Sequence, residues 1–159
     1  MKQKELSLWL KTLIVVAFAC CGAAAAWLVP CIGQEAVIKE LGDAWLFWPC
    51  LVFFWLTLVP VIWCLVLAWR IASEIGRDNS FCTENALRLR TVSRLALADT
   101  IAYLLGAIAL TAVGALQLPG LLVFLAVMIL GSALAVGMAA LSHLIAKAAD
   151  LKTDSDLTI

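Results

Sequence analysis

Four apolar runs, each close to twenty residues long, decide most of what this chain can fold into. They lie at about residues 8–29, 44–69, 95–118 and 121–144. About twenty apolar residues in an α-helix cross the hydrocarbon core of a bilayer. The runs are continuous, whereas the face of a soluble amphipathic helix would interleave polar residues. The chain is 65% hydrophobic and 14% charged; a soluble domain is about a quarter charged and about half apolar at most. The expected fold is therefore all-α. It is an integral membrane four-helix bundle, built as two hairpins joined by a cytoplasmic helical linker. Residues 1–159 form one membrane domain, with the linker at 70–94 and a cytoplasmic tail at 145–159.

Lys2, Lys4 and Lys11 precede the uninterrupted apolar part of the first span, residues 12–29. A basic start, an apolar run and small residues also describe a secretory signal. Here the apolar part is longer than a signal core, and Trp27 stands where an interfacial aromatic belongs. We therefore expect a retained helix. The small residues 22–26 predict close packing against a neighbour. Residues 30–43 form the first polar break, with a short interfacial helix expected at 36–41. Trp9, Trp27, Trp45, Trp48 and Trp69 suit two aromatic belts. Trp55 and Trp63 fall deeper and are expected to pack on other helices. Pro60 should kink the second span, since it removes one backbone hydrogen bond.

Residues 70–94 hold five of the 11 Lys and Arg, and only Lys39 lies in the first loop. Positive residues stay on the cytoplasmic side, so both termini and the linker are expected there, in a bacterial inner membrane. Gly76 reads as a helix stop, and residues 76–80 as a turn. Thr83 reads as an N-cap, with Cys82 and Leu87 stapling across it. Pro119-Gly120 reads as the turn between the last two spans. Small residues at Gly131, Ala135 and Ala139, and at Ala133 and Gly137, permit close helix approach. The tail is expected to be helical to about Lys152 and extended beyond.

Asp99 is the one acid placed within a span. Charges there are costly and are functional candidates by default. The competing reading is a structural acid paired with Arg70 or Arg94. His143, the only His, fits a snorkelling or capping role better than a metal site. The six Cys contain no CxxC pair. Cys31 and Cys50 fall on the same side, so a disulfide between them stays open. No HExxH, phosphate loop or Ser/His/Asp set is present, so no catalytic, cofactor or metal residues are expected, and an enzyme is disfavoured. Five Arg interleaved with acids beside a bilayer do not suit direct nucleic-acid binding.

The segment 79–90, NSFCTENALRLR, resembles the "PF-x-x-EN-x-x-RLR" signature of a bacterial four-span family, the domain of unknown function 2975 family. The terminal residues 156–159, DLTI, resemble that family's end. Ser80 stands where Pro is frequent. The resemblance implies four spans and no assigned reaction. It also implies a frequent neighbour, a small helix-turn-helix regulator of the Cro/C1 type. By that analogy the linker and tail form one face, with Phe81, Glu84, Asn85, Arg88, Arg90, Asp156, Leu157 and Ile159 as partner contacts. Asn85 would bond the tail's backbone. The alternative is a small transporter or ion-conducting protein, oligomeric or not. The spans offer few polar residues for transport: Thr57, Thr111, Gln117 and Ser132.

Overall fold

The structure, a computed structural model, describes residues 3–28, 31, 47–77, 82–114, 116 and 118–157, without the side chains at 3, 28, 119 and 152–157. Helix α1, Gln3–Ala23, passes directly into a π-helical turn at Ala24–Leu28. Three helices follow: α2 at Phe47–Gly76, α3 at Thr83–Ala112 and α4 at Leu118–Leu157. The described residues contain no strand. Each helix holds a stretch long and apolar enough to cross a membrane. The expected loop helix at 36–41, Trp45, Gln117 and Phe81 lie outside the described residues.

Burial follows size in the direction lipid favours. The buried apolar positions are mostly alanines, among them Ala72, Ala86, Ala96, Ala107, Ala135 and Ala149. Large side chains such as Leu56, Trp63, Leu105, Leu130 and Val136 face outward. In water such a surface would drive association. In lipid, which is as apolar as leucine, small residues sit where helices meet, because they let the backbones approach.

Each helix packs antiparallel on the next. Ser7 Oγ donates to the Ala72 carbonyl at 2.7 Å, and Trp55 Nε1 to the Ala25 carbonyl at 3.4 Å, tying α1 to α2. Thr57 Oγ1 and Tyr103 OH lie 3.3 Å apart across α2 and α3. Ser93 Oγ donates to the Ala135 carbonyl at 2.7 Å, and Ser142 Oγ to the Ala86 carbonyl at 2.8 Å, fixing α3 against α4. The N-terminal ends of α1 and α3 thus share one end of the molecule with the C-terminal ends of α2 and α4.

Several local expectations are corrected. Thr83 is the first helical residue, and Cys82, with extended backbone at φ −124° and ψ 150°, is the N-cap without a side-chain cap bond. A threonine already in helical backbone cannot cap. The staple drawn from a Thr83 cap goes with it, and Leu87 is exposed. The third span ends at Ala112, earlier than residue 118. Gly114, at φ 73°, takes the left-handed backbone that closes the helix. Pro119 and Gly120 then belong to the first turn of α4, where proline's missing N–H costs nothing. Trp63 is 58% exposed instead of packed on a helix, whereas Trp55 meets the turn that continues α1 through its bond to Ala25, as expected. Gly22 has no neighbour where a Cβ would stand, so within the small surface at 22–26 the contact with α2 is made at Ala25 and not at Gly22. Pro60 lies inside α2, whose continuity is compatible with the expected kink.

Candidate functional site

The N-terminal turns of α3 carry the motif, and α4 decides which of its residues stay reachable. Arg88 Nη1 donates to Asn85 Oδ1 at 3.0 Å, and its Nη2 to Glu84 Oε2 at 3.1 Å. Residues three and four apart face each other on a helix, so the EN-x-x-R spacing builds this fork. Asn85 is 1% exposed, the most enclosed side chain described. It lies beside Ala86, whose carbonyl receives the Ser142 hydroxyl of α4. Asn85 is therefore an internal support rather than an open contact. It accepts from Arg88, and Arg88 in turn holds Glu84, whose side chain is 75% exposed. Arg90 is also exposed.

The tail departs from its expected form. Helix α4 continues to Leu157, so residues 153–157 are helical rather than extended. Ser93 meets Ala135 and Ala86 meets Ser142, and by that register the start of α3 lies level with about residue 145 of α4. The last dozen residues of α4 overrun α3, by roughly 18 Å at 1.5 Å per residue. Asp156 and Leu157 thus share an end of the molecule with Glu84 and Arg90, but a straight helix carries them past that face. Their side chains, and Ile159, lie outside what is described.

Asp99 sits on α3 between these features and the middle of the spans. One carboxylate oxygen, Oδ1, is buried without a hydrogen-bond partner. The two ion pairs among the described residues, Glu74–Arg77 and Glu84–Arg88, are both local to one helix. Neither Arg70 nor Arg94 pairs with Asp99, and both are exposed. All six cysteines carry free thiols, so Cys31 and Cys50 are unbonded. Among the described residues no three His, Cys, Asp or Glu side chains converge.

Two connecting features escaped the sequence reading. Tyr103 joins three helices: its ring meets Phe53 of α2 at 5.7 Å and Phe124 of α4 at 5.8 Å, both edge-on. Its hydroxyl reaches Thr57, which is buried. As the only tyrosine in the chain, it was the one phenol able to bridge apolar helices. The hydroxyls of Ser7, Ser93 and Ser142 clip alanine carbonyls of neighbouring helices, whereas Thr111 and Ser132 bond carbonyls of their own helix. Spacing cannot separate these two uses of a hydroxyl.

A family model described as "Protein of unknown function (DUF2975)" matches residues 33–159. The chain belongs to the DUF2975 family. The match takes in α2, α3, α4 and both motif segments, and α1 lies before it. Four helices of membrane-spanning character suit a four-span domain of this family. No curated protein and no solved structure matches the chain.

Proposed function

We propose that this DUF2975 protein is a regulatory interaction protein of the bacterial inner membrane. It has both termini and the α2–α3 connection in the cytoplasm, and it engages a small helix-turn-helix regulator at that face. The four helices act as two hairpins, α1 with α2 and α3 with α4. The observation that carries the reading is the Glu84–Asn85–Arg88 fork. It is braced from inside by Asn85, shows charge outward, and lies at the end of the molecule where α4 runs on past α3. The excess of Lys and Arg at that end supports the cytoplasmic orientation. Removing residues 156–159 is expected to abolish capture of the co-encoded regulator by the tagged membrane protein, with membrane insertion unchanged. Undiminished capture would count against the reading.

A second reading, a small transporter or ion-conducting protein, rests on Asp99. A carboxylate without a partner inside a span is costly. Asp99→Asn is expected to raise the melting temperature of the purified protein, through a gain on the order of 1 kcal/mol. A proton- or cation-dependent flux into proteoliposomes, present in the parent and lost in Asp99→Asn, would favour transport over regulation.

A further inference from the structure

Between the first turns of α1 and the last turns of α2 lies an open cleft of about 400 Å³. Lys4, Lys11 and Arg77 stand around it, over a floor of Ser7, Ser73 and Gly76. The floor is tight: Ser7 bonds the Ala72 carbonyl, and a Cβ on Gly76 would come within 2.8 Å of the Ser7 hydroxyl. Lys11 Nζ is held 5.4 Å from the centre of the Trp69 ring. That contact fixes the ammonium in place and leaves its charge unneutralised. Neither Lys4 nor Lys11 has a carboxylate partner among the described residues. Arg77 has only Glu74 of its own helix, at 3.7 Å, with the Arg77 side chain 76% exposed. Exposed pairs of this kind contribute little. Neither Glu5 nor Glu74 lines the cleft.

About two residues further along α1, toward the apolar part of the span, is a second hollow of about 180 Å³ lined by Leu8, Trp9 and Thr12. Leu8 borders both. The Thr12 hydroxyl is turned back onto the Leu8 and Trp9 carbonyls, at 2.9 and 2.8 Å, and leaves the hollow apolar. A basin of three cations therefore adjoins, across Leu8, an apolar slot on the next face of α1, at the level of Trp9 and Trp69. A free anion would fill the basin and have no use for the slot. A phospholipid matches both, with its phosphate among the cations and the start of an acyl chain against Leu8 and Trp9.

We propose that this cleft is a binding site for an anionic membrane phospholipid. The site is separate from the Glu84–Arg88 face and does not depend on which side of the membrane holds the termini. The test uses the full-length protein in a neutral detergent, titrated with phosphatidylglycerol and followed by native mass spectrometry and by Tm. One phosphatidylglycerol is expected to stay bound, and to raise Tm, at ratios where phosphatidylcholine does neither. Lys4→Gln alone, a change at an exposed first-turn side chain, is expected to weaken retention about fivefold, and Lys4→Gln/Lys11→Gln/Arg77→Gln on the order of a hundredfold. The triple variant Arg70→Gln/Arg94→Gln/Lys147→Gln loses the same charge outside the cleft and is expected to retain the lipid. Equal weakening in both triple variants would overturn the site in favour of general attraction. Inorganic phosphate raising Tm as far as phosphatidylglycerol does would overturn the lipid assignment.

Discussion

Gly131→Leu is expected to separate α3 from α4 and to lower the stability of the detergent-purified protein by about 3 kcal/mol or more. A Cβ at this position would run into the Thr100 hydroxyl of α3. That hydroxyl is committed to the Ala96 carbonyl at 2.7 Å, which holds the threonine in one rotamer. Four residues on, Ala135 is buried and its carbonyl takes the Ser93 hydroxyl. A leucine at Gly131 would therefore strain the close approach at two successive turns. Gly131→Ala should cost less, since threonine has a second helical rotamer to retreat into. The double variant Gly131→Ala/Thr100→Ala should recover much of that loss. Thermal melting of Gly131→Ala, Thr100→Ala and the double variant against the parent, read as a double-mutant cycle, measures the coupling. Additive losses would mean that the two residues do not share this contact. The corresponding change on the outer face, Gly137→Ala, is expected to be nearly silent, because nothing lies within 4 Å of a Cβ there.

Asn85→Leu should be the second most damaging single change. The side chain is enclosed, and its Oδ1 takes one of the two hydrogen bonds that hold Arg88. Leucine would leave a half-buried guanidinium short of an acceptor. Removing one partner from such a pair costs about 1–3 kcal/mol. The expected result is a lower melting temperature and, on the proposed function, weaker capture of the proposed helix-turn-helix partner, since Glu84 is positioned through Arg88. Glu84→Gln separates the two effects. It changes an exposed side chain and should weaken capture while leaving the melting temperature nearly unchanged. If Asn85→Leu melts like the parent, the fork is not under the load described for it.

Continuous apolarity made the four spans legible, because nothing but a membrane helix accommodates twenty such residues in a row. Their ends were less legible. Pro119-Gly120 has the composition of a turn, yet proline is equally at home in a first helical turn, and the turn glycine is Gly114, which has no proline beside it. The tail sequence DLKTDSDL has the polarity of a frayed end, but it contains no glycine or proline to stop a helix already under way. The motif was visible as a string of residue types. Its division into an internal support, Asn85, and outward charges, Glu84 and Arg90, was not. That division comes from the rotation of α3 against α4, which Ser142 and Ala86 set across 56 positions of chain. Trp63 failed as a packing prediction for a related reason. Depth within a span can be counted along a sequence, whereas the direction a ring faces depends on which neighbours are present.

The 40-residue α4 is about 60 Å long, about twice the thickness of a bilayer's oily interior. It works as a ruler as much as an anchor. With one part gripped by α3, its far end has a set height above the lipid and a set compass bearing. Each residue added or removed between Ser142 and the end would respectively raise or lower that end by about 1.5 Å and swing it by about 100°. Whatever the DUF2975 terminus meets would be met at one elevation and from one side.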